Sequence, residues 1–371
     1  MTLSNKDLSE ELTALAADVA RLSKLLTKER ESLPAAYLKD ARLRKAYLSY
    51  YLPSNIPKIH LPFKELSLHP KGMLAKEHLR IIDIGAGPGS AMLGVMEFFA
   101  RLGKSPFLEF TAVDHVAENL KDAATLYASY QGRSGLDASL HTVKTNIEKV
   151  QPHLNGHYDL IILSNVLNEL FHHNEEKTAK RVDILHQILR RFLDDDGSLI
   201  VIEPALRDTS REMLLVRDGL VAQGFHVYSP CLMNENCPAL VNPKDWCHED
   251  VPWEPPALIQ EIDELAGFRK DSLKFSYLVL RKDGLSLADV YGADAFRIVS
   301  EPLVSKGKIE FYLCGKGGRR LIARLDKDKS PANDAFKALK RGDIVSFQEL
   351  RDEGKRYRAG KDTVVTAKRA C

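Results

Sequence analysis

The chain has 371 residues, which is too long for one ordinary hydrophobic core, so the sequence predicts two or three domains. Hydrophobic content of 44% and charged content of 28% are typical of a soluble globular protein. The N-terminal MTLSNKDLSEEL lacks a basic stretch before an apolar core, and no apolar run approaches the roughly 20 residues that span a bilayer. A secretory signal and a membrane span are therefore not expected.

The net charge of +2 hides an asymmetry along the chain. Residues 301–371 hold 18 Lys+Arg and 10 Asp+Glu, a net of +8, whereas the remainder holds 35 and 41, a net of −6. A basic terminal region on an otherwise acidic protein suggests a polyanionic partner such as RNA. The alternative is a solvated lysine-rich surface.

The first 75 residues indicate a helical N-terminal module. Apolar residues recur at helical spacing within residues 5–30: Leu12, Leu15, Val19, Leu22 and Leu26. A second helical stretch is predicted over residues 35–50. Prolines at 53 and 57 then predict a turn or extended segment over residues 51–58.

Strands and helices alternate from residue 79 onward. The predicted strands are LRIIDIG, FLEFTAVD, SLHTVKTN, YDLIILS, GSLIVIEP and a late strand in DSLKFSYLVLRK, and amphipathic helices separate most of them. This pattern predicts an α/β fold with a doubly wound, Rossmann-like parallel sheet over residues 76–285. Residues 229–262 form a cysteine-bearing insertion in it, and residues 286–371 form a basic region predicted to be rich in β-strands.

The motif DIGAGPGS lies where the first strand gives way to a helix, as a nucleotide-binding loop requires. Gly85, Gly87 and Gly89 allow a tight turn and close approach of a ligand to the backbone. A dinucleotide site has a similar loop, but Pro88 interrupts the G-x-G-x-x-G spacing and Asp83 lies inside the strand. An empty structural loop is the remaining alternative.

Two further polar positions end neighbouring strands. Asp114 ends the second strand, where a carboxylate would meet ribose hydroxyls, and Asn146 ends the third, where an amide could meet an adenine edge. This arrangement resembles the class I S-adenosylmethionine-dependent methyltransferases. The resemblance implies that Asp83 and the glycine loop surround the methionine and ribose of the cofactor, and that Asp114 binds the ribose diol.

The stretch SNVLNEL after the fourth strand is the candidate acceptor loop. Ser164 is predicted to border the cofactor, and Asn165 is the candidate to orient an amine. The Asn/Asp-Pro-Pro-aromatic sequence of amine methyltransferases is missing, and no cysteine precedes residue 231 to serve as a nucleophile for pyrimidine carbon-5 methylation. Glu169 and His172 are nearby polar candidates, with helix-surface residues as the alternative.

The segment CLMNENCPALVNPKDWCH (231–248) concentrates cysteine in a chain that otherwise avoids it. Cys231, Cys237 and Cys247 need a fourth ligand, for which Cys314 and His248 are the candidates; we exclude the terminal Cys371. The spacing does not match common zinc fingers, and four thiolates suit either zinc or an iron–sulfur cluster. Buried inert thiols are the alternative.

Longer stretches match one family. The chain resembles the mitochondrial small-ribosomal-subunit methyltransferase-like proteins and their bacterial relatives in the following segments: AYLSYYLPSN (46–55), RIIDIGAGPGSAML (80–93), YDLIILSNVLNEL (158–170), CP…DWCH (237–248), KFSYLVLRK (274–282) and RIVSEP…GKIEFYLC (297–314). The resemblance implies association with small-subunit rRNA during ribosome maturation. It also implies an iron–sulfur cluster, of the [4Fe–4S] type, on Cys231, Cys237, Cys247 and Cys314, with zinc as the alternative.

Two functions follow. One is an rRNA methyltransferase that uses S-adenosylmethionine; the other is a non-catalytic assembly factor that binds immature small-subunit rRNA with a methyltransferase fold. The expected partner is the small ribosomal subunit, with no membrane contact, and the protein is expected to be a monomer off the ribosome. The expected location is a bacterial-type cytoplasm, or the mitochondrion if the chain is a processed form.

Overall fold

The computed structural model describes residues 5–33, 36–149, 154 and 156–368. None of the helices in these ranges is both long and apolar enough to cross a membrane.

The N-terminal region is helical, as the apolar spacing predicts. Four α-helices form it: α1 (Asn5–Thr27), α2 (Ala41–Ala46), α3 (Leu52–Asn55) and α4 (His60–Leu66). The apolar stripe of α1, including the fully buried Val19 and Leu22, packs against α2 and against a later helix, Ala257–Ala266. This region is therefore packed against the rest of the protein through its own hydrophobic core.

The prediction of a turn or extended segment over residues 51–58 is wrong. A π-helical turn, Tyr47–Tyr51, leads into α3, and a 3₁₀ turn, Ile56–Ile59, follows it. Pro53 and Pro57 each occupy the first turn of a new short helix, where the missing N–H has no partner to lose. The prolines therefore divide the segment into short helices that change direction.

The central sheet confirms the predicted α/β, Rossmann-like fold. Its first five strands are β1 (His78–Ile84), β2 (Phe107–Asp114), β3 (Ala138–Lys144), β4 (Tyr158–Ser164) and β5 (Leu193–Pro204). They run parallel in the order β3-β2-β1-β4-β5. Four helices connect them and continue the chain: α5 (Ser90–Leu102), α6 (Ala117–Ser134), α7 (Lys177–Phe192) and α8 (Arg207–Ala222). One apolar cluster lies between the sheet, α5 and α6, and another lies between the sheet, α7 and α8.

Three antiparallel strands extend this sheet: β6 (His226–Ser229), β7 (Glu249–Pro252) and β8 (Ser272–Arg281). Strand β8 pairs with β5, β6 and β7, and α9 (Ala257–Ala266) lies between β7 and β8 in the chain. The cysteine-bearing segment thus connects two strands that both pair with β8. The sequence predicted the late strand but not its antiparallel direction.

The last region, after α10 (Leu287–Tyr291), is strand-rich, as predicted. Its strands are β9 (Phe296–Ile298), β10 (Leu303–Ser305), β11 (Lys308–Gly315), β12 (Gly318–Leu325), β13 (Ile344–Asp352) and β14 (Arg356–Lys368). The pairs β9–β11, β11–β12, β12–β14, β14–β13 and β13–β9 close a barrel of five strands, and only β12–β14 is parallel. This is the topology of the OB-fold, a barrel that commonly binds oligonucleotides.

A buried ionic network joins the barrel to the rest of the protein. Arg297 on β9 forms ion pairs with Glu65 on α4 and with Glu249 on β7, the latter at 3.4 Å. The hydroxyl of Tyr277 on β8 also donates to Glu65. All four side chains are buried, so the charges compensate one another away from water.

We expect the substitution Arg297→Met to be strongly destabilising, since it leaves two buried carboxylates without a cation. The expected loss in the free energy of unfolding is about 3–5 kcal/mol. Arg356→Met is the matched control, because Arg356 is half-exposed and pairs with Glu353 at the barrel surface, where a loss below about 1 kcal/mol is expected. Urea unfolding measures both, and equal losses in the two variants would contradict the structural role of Arg297.

Candidate functional site

The glycine loop between β1 and α5 forms a cradle with a close packing contact on one side. All three predicted glycines have positive φ angles: +70° at Gly85, +53° at Gly87 and +90° at Gly89. A Cβ on Gly85 would lie 2.3 Å from Val166, whereas a Cβ on Gly87 would meet nothing within 4 Å. The backbone at Gly87 is thus open to a ligand, whereas Gly89 packs against Met92 and Ala123.

This loop borders a cavity of about 490 Å³, within the usual size range of ligand pockets. The predicted residues that line it are Gly85, Gly87, Asp114, Ser164 and Asn165. An adjoining cavity of about 430 Å³ shares Gly85 and Asp114 and includes Asn146, Glu169 and His172. Among the predicted cofactor residues, Asp83 and Gly89 do not line either cavity.

Asp83 lies beneath the loop as a buried, unpartnered carboxylate. It is 2% exposed, and neither carboxylate oxygen has a hydrogen-bond partner among the described residues. Burial, and then the charge of Asp114, raises the pKa of Asp83 to about 7. An acid in this state suits a ligand that brings positive charge or hydrogen-bond donors to the loop.

Asp114 holds the loop in place at the end of β2. Its Oδ2 accepts a hydrogen bond from the Gly87 N–H at 2.9 Å, and its Oδ1 accepts one from the Val116 N–H at 2.7 Å. The side chain of Asn119 donates to the same Oδ1 at 3.4 Å. Asp114 therefore fixes the open part of the glycine loop while it lines both cavities.

The candidate acceptor loop has an unusual backbone. Asn165 has a φ of +59°, and its N–H donates to the carbonyl of Ile202 on β5 at 2.7 Å. Its side-chain amide donates to Ser164 Oγ at 3.3 Å. The Asn165 amide is thus hydrogen-bonded within the loop and does not point freely at a methyl acceptor.

Glu169 and His172 lie in the adjoining cavity, which sequence alone could not establish. The exposed surface of Glu169 lines the cavity. Burial there, and then the charge of Glu203, raises the pKa of Glu169 to about 8. Burial, together with the charge of Arg30, lowers the pKa of His172. Near neutral pH the pair offers a protonated acid and a neutral imidazole.

The N-terminal helices supply residues that sequence analysis missed. Arg30 donates a short hydrogen bond to Asn168 Oδ1, and Asn168 in turn donates to Glu203 Oε2 at 2.5 Å. Tyr37 and Tyr47 also line the larger cavity. No local motif marks these residues, because the fold brings them to the glycine loop from distant parts of the chain.

The four predicted cysteine ligands come together at a second location, on the barrel side of the core. Cys231, Cys237, Cys247 and Cys314 all line one narrow cavity of about 40 Å³. His248 lines it as well, and Cys371 lies outside the described residues. Cys314 is on β11, whereas the other three lie on the segment between β6 and β7.

Burial favours the neutral form of three of these thiols, Cys237, Cys247 and Cys314. It is the main cause that raises the pKa of Cys237 and of Cys314 to about 12, and it places the pKa of Cys247 well above the usual range. In all three cases Cys231 adds to the shift. A cation among the four sulfurs would reverse this penalty by stabilising the thiolates.

Two arginines of α8 organise the cysteine segment. Arg211 Nη1 donates to the carbonyls of Ala239, Asn242 and Asp245 at 2.7–3.0 Å. The fully buried Arg217 donates to the carbonyls of Met233 and Glu235. Arg217 also places a positive charge near Cys231, and this charge is paired with the carboxylate of Asp218 at 2.5 Å.

The four sulfurs do not form a closed tetrahedron. Four thiolates around one zinc ion would lie about 3.8 Å apart, as follows from a Zn–S bond of about 2.3 Å in a tetrahedron. Over the described ranges, no three cysteine sulfurs lie within 4.8 Å of one another. Every set of three therefore contains at least one sulfur–sulfur distance longer than in a closed zinc site.

The group of three that does meet this spacing is acidic: Asp159, Asp194 and Asp196. Lys76 already pairs with Asp159 and with Asp196, the latter at 2.9 Å. This ammonium supplies the positive charge that a cation would bring.

The unpartnered state of Asp83 predicts a pH dependence of stability. Because its folded pKa of about 7 exceeds the unfolded value near 3.8, the native state holds an extra proton between these values. The free energy of unfolding therefore falls as pH rises from about 4 to about 7. Asp83→Asn lacks this titrating group. The thermal midpoint of the variant minus that of wild type is therefore expected to increase over that range and to stay constant above it. Ligand-free protein scanned across this pH series tests the trend; a constant difference at all pH values would contradict it.

Three solved methyltransferases are similar to this chain at low sequence identity. The plantazolicin methyltransferase BamL, solved with a substrate analogue and S-adenosylhomocysteine, is 12% identical over 74% of this chain and 99% of its own, with a TM-score of 0.38. Fibrillarin from Aeropyrum pernix, with natively bound S-adenosylmethionine, is 15% identical over 55% and 67%, with a TM-score of 0.30. An S-adenosylmethionine-dependent methyltransferase from Methanosarcina mazei is 13% identical over 56% and 93%, with a TM-score of 0.34.

No curated protein sequence matches the chain. The family model described as mitochondrial small ribosomal subunit Rsm22 matches residues 45–362. The match extends from the N-terminal helices through the glycine loop and the cysteine segment into the last strand of the barrel. Because this match covers most of the chain, the protein belongs to the Rsm22 family of the mitochondrial small ribosomal subunit.

Proposed function

We propose that this protein binds S-adenosylmethionine and an iron–sulfur cluster and acts on the rRNA of the small ribosomal subunit during its maturation. The observation that carries the proposal is the open glycine loop above the buried, unpartnered Asp83, within a chain of the Rsm22 family. Methyltransferase-like function related to the small subunit follows from the family and the fold. The cluster, the rRNA substrate and the named site residues are the proposed part.

The cofactor would lie along the carboxyl ends of β1, β2 and β4. In this arrangement the backbone at Gly85 and Gly87 would face its methionine and ribose, Asp114 its ribose hydroxyls, and Asn146 its adenine. Asp83 and Gly89 would support the loop from beneath, since neither lines the cavity. Bound S-adenosylmethionine supplies a methyl group on a sulfonium, which needs an acceptor in line more than it needs acid–base help. The chain's own contribution is to orient the acceptor and exclude water, through the acceptor loop and the helices that cover the cavity.

The iron–sulfur assignment is supported by the thiols rather than by a motif. Cys231, Cys237, Cys247 and Cys314 line one cavity as a set of four thiols, which is the number of protein ligands that such a cluster takes. When bound, the cluster would link the cysteine segment to β11 of the barrel. Its proposed role is structural, because this link would hold the barrel against the core.

RNA binding is supported by the barrel and its border. The OB-fold topology suits single-stranded nucleic acid, and the surrounding region carries a net charge of +8 over residues 301–371. Two aromatic rings stand exposed beside the cysteine cavity: Tyr312, under the guanidinium of Arg319 at 4.6 Å, and Trp246, stacked on His248 at 5.7 Å. Arg319 connects them by its ion pair with Asp245 at 3.2 Å. Exposed rings with adjacent cations are suitable for stacking unpaired bases.

The second candidate function, a non-catalytic assembly factor, is favoured by the acceptor loop. SNVLNEL lacks the Pro-Pro-aromatic sequence, and the Asn165 amide is bonded to Ser164. Both functions use the same RNA surface and the same cofactor cavity. They differ only in whether the methyl group is transferred.

Transfer of a labelled methyl group to undermodified small-subunit rRNA tests the enzymatic function. We expect incorporation of the label into RNA with wild-type protein. We also expect Tyr312→Ala to bind this RNA roughly 10-fold more weakly, because one base stack is lost. Phe347→Ala, which removes a partly buried barrel residue, controls for loss of fold. If the cofactor binds but no label is incorporated, the assembly-factor function replaces the enzymatic one. If neither cofactor nor RNA binds, both are wrong.

For the cluster, we expect anaerobically purified protein to be brown, with broad absorption near 400 nm (roughly, as iron–thiolate clusters show) and about four irons per chain. Cys314→Ser is expected to lose most of the iron and to lower the thermal midpoint, because the link between barrel and core is broken. Cys371→Ser is the matched control and is expected to keep both. A colourless protein with stoichiometric zinc would refute the iron–sulfur assignment, and full metal content in Cys314→Ser would refute the fourth ligand.

A further inference from the structure

Two lysines from distant parts of the chain face the cofactor cavity. Lys58 lies on the 3₁₀ turn Ile56–Ile59, and Lys270 lies four residues after α9 ends at Ala266. Both line the 490 Å³ cavity together with Gly85, Gly87 and Ser164. No motif in the sequence marks either of them as part of the site.

Both ammonium groups are held in position by neutral partners. Lys58 Nζ donates to Asn55 Oδ1 at 2.7 Å, and Lys270 Nζ donates to Ser54 Oγ at 3.0 Å. Lys270 Nζ also lies 4.2 Å from the centre of the Tyr50 ring. In the described part of the chain, neither lysine forms a salt bridge with a carboxylate.

The nearest acid to Lys270 is engaged elsewhere. One oxygen of Asp263 accepts the hydroxyl of Tyr50 at 2.5 Å, and the other accepts the backbone N–H of Lys270 at 2.7 Å. Asp263 therefore fixes the ring and the main chain around the ammonium group without pairing with it. The side chain of Lys270 is left aimed at the cavity.

Burial makes the charged form of both lysines costly. It is the main cause that lowers the pKa of Lys58 to about 8 and that of Lys270 to about 7, and the charges of Glu203 and Asp263 offset it only in part. The charge of Lys58 is the second cause of the shift at Lys270, so the two groups are close enough to repel. Two desolvated cations that share a cavity are stabilised when an anionic group binds between or beside them.

We infer that Lys58 and Lys270 bind the carboxylate of the cofactor's methionine moiety. The inference rests on the proposed cofactor, whose amino-acid end carries one carboxylate and must lie near the glycine loop. The open backbone at Gly87 and the two lysines line the same cavity, so the carboxylate of a cofactor that lies along the loop would be within the space that the lysines border. The lysines thus act as positioning and specificity-determining residues that select a cofactor with an intact amino-acid carboxylate.

Calorimetric titration with S-adenosylmethionine and with its decarboxylated form tests this assignment, since the two ligands differ only in the carboxylate. Wild type is expected to prefer S-adenosylmethionine by roughly 10- to 100-fold, as one charge-assisted interaction allows. In Lys58→Met and Lys270→Met that preference should shrink to a few-fold, whereas affinity for the decarboxylated ligand stays as in wild type. Lys64→Met is the matched control, because Lys64 is an exposed lysine on α4 that does not line the cavity, and it should keep the full preference.

Unchanged affinity for S-adenosylmethionine in both lysine variants would overturn the inference. An equal loss of affinity for both ligands would also overturn it, because that result indicates a damaged cavity. An RNA phosphate is the other source of an anionic oxygen, so the same variants are titrated with a small-subunit rRNA fragment. If the variants lose affinity for RNA but keep the full preference for S-adenosylmethionine over its decarboxylated form, the lysines bind RNA phosphate. That result would overturn their assignment to the cofactor carboxylate. If wild type binds neither cofactor form, the proposed function itself fails.

Discussion

The buried ion pairs of Arg297 determine how the parts of this protein fit together. One guanidinium reaches Glu65 of the N-terminal helices and Glu249 beside the cysteine segment, and it belongs to the barrel. A buried cation with two buried carboxylates tolerates few alternative arrangements, because displacement of any partner leaves a charge without compensation. The docking of the barrel on the core is thereby restricted to one orientation.

The thiol site depends on this docking. Arg297 is the register partner of Cys314 across β9 and β11, so the residue that anchors the barrel is the neighbour of its only described cysteine. Arg341 reinforces the position by donating to the carbonyls of His248, next to Cys247, and of Val299. A ligand set divided between two regions would be unreliable if those regions moved independently. The ionic network restricts that freedom whether or not the thiols hold a metal.

What the sequence predicted well is local. The strand–loop–helix at DIGAGPGS and the clustering of three cysteines are contained in short segments, where turn chemistry and hydrophobic pattern determine structure. Pro53 and Pro57 misled the prediction because proline breaks a helix interior but is accommodated in its first turn. Lys270 and Arg297 could not be predicted, since Lys270 contacts Ser54 and Arg297 contacts Glu65 at separations of 216 and 232 residues, and no spacing along the chain records such contacts. Lys58 contacts only the nearby Asn55, and the fold is what brings it to the same cavity as Lys270.

The cysteine segment and the acceptor loop meet at one pair of neighbouring residues. In the ladder between β5 and β8, Glu203 is the register partner of Ser276. Such partners in an antiparallel pair carry their side chains on the same face of the sheet. Ser276 Oγ donates to the carbonyl of Cys247 at 2.7 Å, and Glu203 accepts from Asn168 behind the acceptor loop. The cysteine segment and the acceptor loop are therefore anchored at adjacent positions at the end of the sheet.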